Sequence, residues 1–160
     1  MFTTKQRFAV VASLLVGSIL GLSSCYENKI ATNLTPGPAA AQKPIQLTAT
    51  INGAQEKPTP VTTAATGTFT GTIDPASRVL SYTVAYSGIT PVAGHLHRIT
   101  LPSGNGPNLI NFASLASPII GTTSTLEQSR VDSMVAGQWY VNLHTAANPA
   151  GEIRGDIRVK

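Results

Sequence analysis

From Leu47 to Val159 the chain repeatedly alternates apolar and polar residues with a period of two, the spacing that sends successive side chains to opposite faces of a strand. Leu47, Ala49 and Ile51 share one face, with Thr48 and Thr50 opposite. Phe69, Gly71 and Ile73 stand against Thr68, Thr70 and Thr72, and Leu80, Tyr82, Val84 and Tyr86 repeat the pattern. Between the last two runs, Asp74-Pro75-Ala76-Ser77 predicts a turn, because proline presets φ and an aspartate carboxylate bonds the backbone just after it. The two runs form a hairpin. Further strands are expected over Ala93–Ile99, Gln138–Thr145 and Glu152–Val159, with a weaker run at Pro118–Thr123 and a loop over Leu101–Ser117. One helix interrupts them: Ser124 and Glu127 fit a capping box, Leu126–Val135 is helix-compatible, and Gly137 can take the left-handed cap. Short strands, turns and a single helix predict an all-β fold, an antiparallel β-sandwich.

Ahead of this domain, Lys5 and Arg7 precede the apolar stretch Phe8–Leu22, which is shorter than the ~20 residues needed to span a bilayer. The stretch runs into Leu22-Ser23-Ser24-Cys25, a sequence similar to a bacterial lipobox. Residues 1–24 are therefore expected to be a cleaved signal peptide and Cys25 the acylated first residue of an exported lipoprotein. Tyr26 follows in place of the aspartate that retains lipoproteins at the inner membrane, so an outer-membrane location is expected if the host has two membranes. Residues 25–45 are rich in Ala, Pro, Thr and Asn without an apolar period, which predicts a flexible tether, and residues 46–160 form one domain. Cys25 is the only cysteine, so the domain has no intrachain disulfide to stabilise it. Loss of Lys5 and Arg7 takes the 11 basic residues to nine, set against seven acidic ones with no run of like charge, which argues against a nucleic-acid partner.

The candidate chemistry lies in the histidines. In a strand, His95 and His97 point the same way, while Leu96 points the other way. Trp139, Val141 and Leu143 form the apolar face of a later strand, which puts Tyr140, Asn142 and His144 on its polar face. In the last strand Glu152, Arg154, Asp156 and Arg158 lie opposite Ile153, Ile157 and Val159. A hairpin through Ala146–Ala150 would pair His144 with Glu152, Asn142 with Arg154 and Tyr140 with Asp156, complementary partners in each case. A His-x-His strand with a distant third histidine is a metal-site pattern; without thiolates it suits copper better than zinc, with Glu152 orienting the His144 ring. Such binding is expected to weaken as pH falls through about 6, where free imidazole protonates. A second reading stays open, in which the three rings only hydrogen-bond to Glu152, Asn142 and loop carbonyls. No Gly-x-Ser-x-Gly elbow, acid/base carboxylate pair or phosphate loop is evident, and Gly104-Asn105-Gly106-Pro107 reads as a turn.

Several ordered motifs resemble the CHRD domain, the module named after chordin and also found in bacterial proteins. They are Asn52-Gly53-Ala54-Gln55-Glu56-Lys57-Pro58, Ala65-Thr66-Gly67, Gly94-His95-Leu96-His97, the run Ala136 to Thr145, and Asn148-Pro149-Ala150-Gly151-Glu152-Ile153-Arg154-Gly155. Lys57 departs from the small apolar residue usual before that proline. The resemblance covers about Gln46 to Val159 and implies an immunoglobulin-like sandwich, usually treated as a binding or interaction module. A weaker resemblance to the copper/zinc superoxide dismutases implies that His95, His97 and His144 correspond to three copper ligands. It also puts Arg154 roughly where those enzymes carry the arginine that guides superoxide. Their metal-bridging histidine and zinc loop are missing here. The expected function is non-catalytic binding of a metal ion or an envelope or extracellular protein through the face around His95, His97, His144, Tyr140, Asn142, Glu152 and Arg154. The alternatives are a copper-dependent oxidoreductase and a metal-free adhesion domain.

Overall fold

The computed structural model describes residues 42–160; the expected signal peptide, Cys25 and most of the tether lie outside them. Eight strands follow the alternation: β1 (Ile45–Asn52), β2 (Thr66–Ile73), β3 (Leu80–Ser87), β4 (Ala93–Arg98), β5 (Asn108–Asn111), β6 (Ile119–Thr122), β7 (Trp139–His144) and β8 (Ile153–Val159). A short 3-10 helix, Gly53–Gln55, follows β1, and the one α-helix among the described residues, α1, spans Gln128–Val135. Every pairing is antiparallel, in the order β5-β4-β7-β8-β1-β2-β3-β6.

The all-β antiparallel fold with one short helix is met, and its layers are two halves of one curled sheet. Phe112, next to the edge strand β5, packs its ring 5.4 Å from Tyr82 of β3, near the opposite edge. The Tyr86 hydroxyl donates to Leu115 O, and Ser117 Oγ both accepts from Tyr86 N at 3.0 Å and donates to Tyr86 O at 2.9 Å. Inside the curl, Leu47, Ile51, Phe69, Leu80, Val84, Leu96, Val141 and Ile157 form one core. Trp139 is fully buried there, its indole N–H donating to Ser133 Oγ of α1 at 2.8 Å.

The predicted turns hold where their side chains make the expected bonds. Asp74 Oδ1 accepts from Ala76 N and Ser77 N, and β2 pairs with β3 from Ile73–Leu80 to Thr66–Ser87. Gly137 has φ +71, while its N–H and that of Gln138 close the helix onto Met134 O and Ser133 O. Two local expectations are corrected. The capping box does not form: Glu127 occupies the N-cap without a side-chain cap bond. The expected loop Leu101–Ser117 contains β5, whose four residues are too few for their alternation to register but pair with β4 once the sheet is present.

Candidate metal centre

Strands β4 and β7 are hydrogen-bonded neighbours, with Ala93 opposite His144, His95 opposite Asn142, and His97 opposite Tyr140. His95 and His97 share a face two residues apart, and His144 lies diagonally across from His95, within reach of long side chains. Ring centroids are 5.4 Å apart for His95–His97, 5.1 Å for His95–His144 and 6.0 Å for His97–His144. One nitrogen from each ring lies within 4.8 Å of the others. Two metal–nitrogen bonds of about 2 Å span at most about 4 Å, so closing this cluster on an ion takes only a small shift of each ring.

Backbone carbonyls set the tautomers. His97 Nδ1 is 3.0 Å from Gly106 O and His144 Nδ1 is 3.1 Å from Pro149 O. A carbonyl can only accept, so each Nδ1 carries the proton and each Nε2 keeps its lone pair. His97 Nε2 is buried and has no hydrogen-bond partner among the described residues. His95 Nδ1 lies 3.3 Å from His144 Nε2 and donates to that lone pair, a hydrogen bond that an ion bound between the rings would displace. Burial pushes His97 down to about 4, against the opposing effect of the Gly106 bond. His95 is lowered by burial and then by His144, and His144 is lowered by burial. The rings therefore stay neutral below the ordinary imidazole range, and the expected loss of ligand competence near pH 6 moves to lower pH.

The carbonyl on His97 belongs to a buried stack. The Tyr140 ring lies 4.6 Å from His97, nearly parallel at 10°. The Arg154 guanidinium covers the other face of Tyr140 at 3.6 Å. Arg154 donates to Gly104 O at 2.7 Å, Asn105 Oδ1 at 2.8 Å and Asp156 Oδ1 at 2.9 Å. The Tyr140 hydroxyl donates to Gly106 O at 3.3 Å, so one carbonyl serves both rings of the stack. Residue 106 has to be glycine, because a Cβ there would lie 1.8 Å from Arg98 O.

The fold now accounts for the motifs around the site, and residues 47–157 match the family model for the CHRD domain. The chain belongs to the CHRD-domain family. No curated protein and no solved structure matches it. Family membership points to a binding module, and in this CHRD domain the three histidines are brought together as expected. Two pairs of the predicted hairpin register are also met, Asn142 opposite Arg154 and Tyr140 opposite Asp156, while the ladder ends at Leu143–Ile153, before His144 and Glu152.

Other site residues take different roles from those expected. Glu152 does not orient His144: its carboxylate accepts from Thr145 Oγ1 at 2.5 Å, Thr63 Oγ1 at 3.0 Å and Asn148 Nδ2 at 3.3 Å, while Pro149 O holds the ring. Nor are Arg154, Tyr140 and Asn142 open to a partner, being 1%, 3% and 4% exposed. The loops after β1 and β4 fold over this polar face and cover it. A guanidinium buried under Asn105 and Gly104 cannot guide an anion from solvent. Sequence reasoning missed Gly106, Pro149 and Glu56. The turn containing Gly106 and the loop containing Pro149 are visible in the chain, but backbone carbonyls leave no side-chain signature.

Proposed function

We propose that this CHRD domain captures a copper ion through His95, His97 Nε2 and His144 Nε2, as a non-catalytic module held at the cell envelope by a lipid on Cys25. The observation that carries the metal reading is the buried Nε2 of His97, without a hydrogen-bond partner among the described residues, with its Nδ1 tied to Gly106 O and two further imidazole rings nearby. Three neutral nitrogens without a thiolate suit copper ahead of zinc in the divalent affinity order. When bound, the ion would supply a Lewis-acidic centre with an open position. The protein holds the tautomers of His97 and His144 through backbone carbonyls and stacks Tyr140 against the His97 ring.

Titration calorimetry at neutral pH should show one copper per chain, tighter than zinc. Affinity should fall at least about 100-fold in His97→Ala and His144→Ala, and less than about ten-fold in Glu152→Gln. Copper uptake unchanged in the histidine variants would leave only hydrogen-bonded rings. An oxidoreductase in the manner of the superoxide dismutases is a separate reading, decided by whether copper-loaded protein removes superoxide faster than the His97→Ala variant. The buried Arg154 argues against it.

The anchor rests on Lys5, Arg7, the apolar stretch Phe8–Leu22 and the lipobox-like Leu22-Ser23-Ser24-Cys25. Each buried methylene of an acyl chain contributes about 0.8 kcal/mol, so two or three chains hold a protein to a bilayer almost permanently. Labelled palmitate should enter the protein and be lost in Cys25→Ala. Label that survives the change would sink the anchor.

A further inference from the structure

The 56–62 segment between β1 and β2 and the 147–151 segment between β7 and β8 enclose a crevice of about 620 Å³, a size typical of small-molecule sites. Pro58, Pro60, Val61, Ala147, Pro149 and Ala150 give it stiff, apolar walls. Glu56 also lines it, though only 4% of the residue is exposed. Glu56 Oε2 accepts from Asn142 Nδ2 at 3.4 Å, whereas Glu56 Oε1 and Asn142 Oδ1 are buried and accept no hydrogen bond from the described residues. Both side chains face the wall at Gly151: a Cβ on that residue would lie 2.7 Å from Glu56 Oε2 and 2.8 Å from Asn142 Oδ1.

Glu56, which lines the crevice, and Asn142, beside Gly151 of its wall, thus carry more acceptor atoms than the surrounding donors satisfy. Two cations are near: Arg154 has its guanidinium committed to Gly104, Asn105 and Asp156, and Lys57, which lines the crevice, turns its ammonium to Asp156 at 3.7 Å while its backbone N–H favours the Glu56 carboxylate. Burial outweighs the pull of Arg154 and pushes the Glu56 carboxyl up to about 7. The missing complement is a group that only donates and carries positive charge. A primary ammonium has three donors and no acceptor. A bare hard cation would demand more oxygen ligands than two side chains supply, and would leave the apolar walls without a role.

We propose that this crevice binds a small organic ammonium ion, its charged end on Glu56 and its hydrocarbon part between the prolines of the two loops. Binding exchanges one cation for another: the Glu56 carboxyl gives its proton to solvent and pairs with the ammonium. None of the three histidines lines the crevice, and Pro149, which borders it, holds His144 and not His97, whose Nδ1 is held by Gly106 O.

The test uses the purified protein with metal withheld by a chelator, and n-butylammonium chloride as probe with 1-butanol as its neutral counterpart. Butylammonium should shift the amide resonance of Gly151 and the side-chain amide of Asn142 in a saturable way, and butanol should not. Calorimetry in buffers of different ionisation heat should find up to one proton released per ligand at pH 6 and almost none at pH 8.5. Glu56→Gln should bind at least ten-fold more weakly with no proton release, and Ala150→Trp, at an exposed wall position, several-fold more weakly. His97→Ala should bind as the wild type, so failure here and failure of the copper reading are told apart. Absence of a shift at Gly151, an equal response to butanol, or wild-type binding in Ala150→Trp would overturn the proposal, leaving ordered water or the carboxyl's own proton to satisfy Glu56. The wild-type and Ala150→Trp measurements decide the question even if Glu56→Gln fails to fold.

Discussion

Burial moves His97 and Glu56 in opposite directions, down to about 4 and up to about 7. Below about pH 6.5 the unfolded chain takes up a proton that folded His97 refuses, so this residue costs stability progressively as pH falls toward 4. Folded Glu56 keeps a proton that the unfolded chain releases above about pH 4.5, so its contribution is present at low pH and lost as pH rises toward 7. The two slopes oppose each other where they overlap. In chelator, urea unfolding from pH 4 to 8 should show His97→Gln gaining on the wild type as pH falls, by up to about 3 kcal/mol. Glu56→Gln should gain as pH rises, with the same upper bound. Variant and wild-type curves that run parallel would mean these groups are not buried as described. The histidines were legible from their spacing alone, since positions two apart on a strand share a face. Glu56 was not, because its desolvation comes from packing against Asn142 and Gly151, residues more than 80 positions away along the chain.

Among the elements, the Gly104–Gly106 turn has the largest effect on the site. Its two carbonyls and one amide oxygen hold Arg154, His97 and Tyr140. Gly106→Ala would force the turn away from Arg98 O, 1.8 Å from the added methyl, and pull the carbonyl off both rings. A loss of about 3 kcal/mol is expected, within the range of strained single substitutions. Copper affinity should fall about ten-fold, as when a hydrogen bond orienting a metal ligand is removed. Arg154→Met should cost about 2–3 kcal/mol, because it leaves Gly104 O and Asn105 Oδ1 without their buried donor, while Lys57 and Arg158 stay beside Asp156. Denaturant unfolding and copper titration of the two variants separate the effects. The strand pattern correctly assigned Tyr140, Asn142 and Arg154 to the polar face, but a polar face says nothing about whether a loop lies over it. Side-chain alternation is likewise too short a signal across four residues to reveal β5.

The described domain is one sheet whose edges are drawn together where Phe112 meets Tyr82 and the Tyr86 hydroxyl meets Leu115 O. These contacts join segments about 30 residues apart at the mouth of the curl, so the shape of the domain depends on them. Phe112→Ala should lower stability by about 1–3 kcal/mol, less than a fully buried phenylalanine because the ring is only partly enclosed. It should also weaken the near-ultraviolet dichroism of Tyr82 while leaving copper binding within about three-fold of the wild type. A collapse of copper affinity in this variant would mean that the curl, and not the β4–β7 pairing, sets the histidine geometry.

What the sequence determined by itself was local and periodic. Alternation specified the strands and their buried faces, Asp74-Pro75 and Gly137 specified a turn and a helix stop, and complementary side chains specified the register of β7 on β8. Each of these depends on residues close in the chain or on a period intrinsic to the backbone, so each can be read without the fold. The tertiary structure decided which polar groups are wet and which are sealed. It placed Pro149 O, not Glu152, on His144, and it buried Arg154 against Tyr140 under a turn 50 residues away. It also set Glu56 beside Asn142 at the edge of a crevice. Burial and long-range hydrogen bonding depend on how distant loops fold over a face, and a one-dimensional pattern carries no term for that.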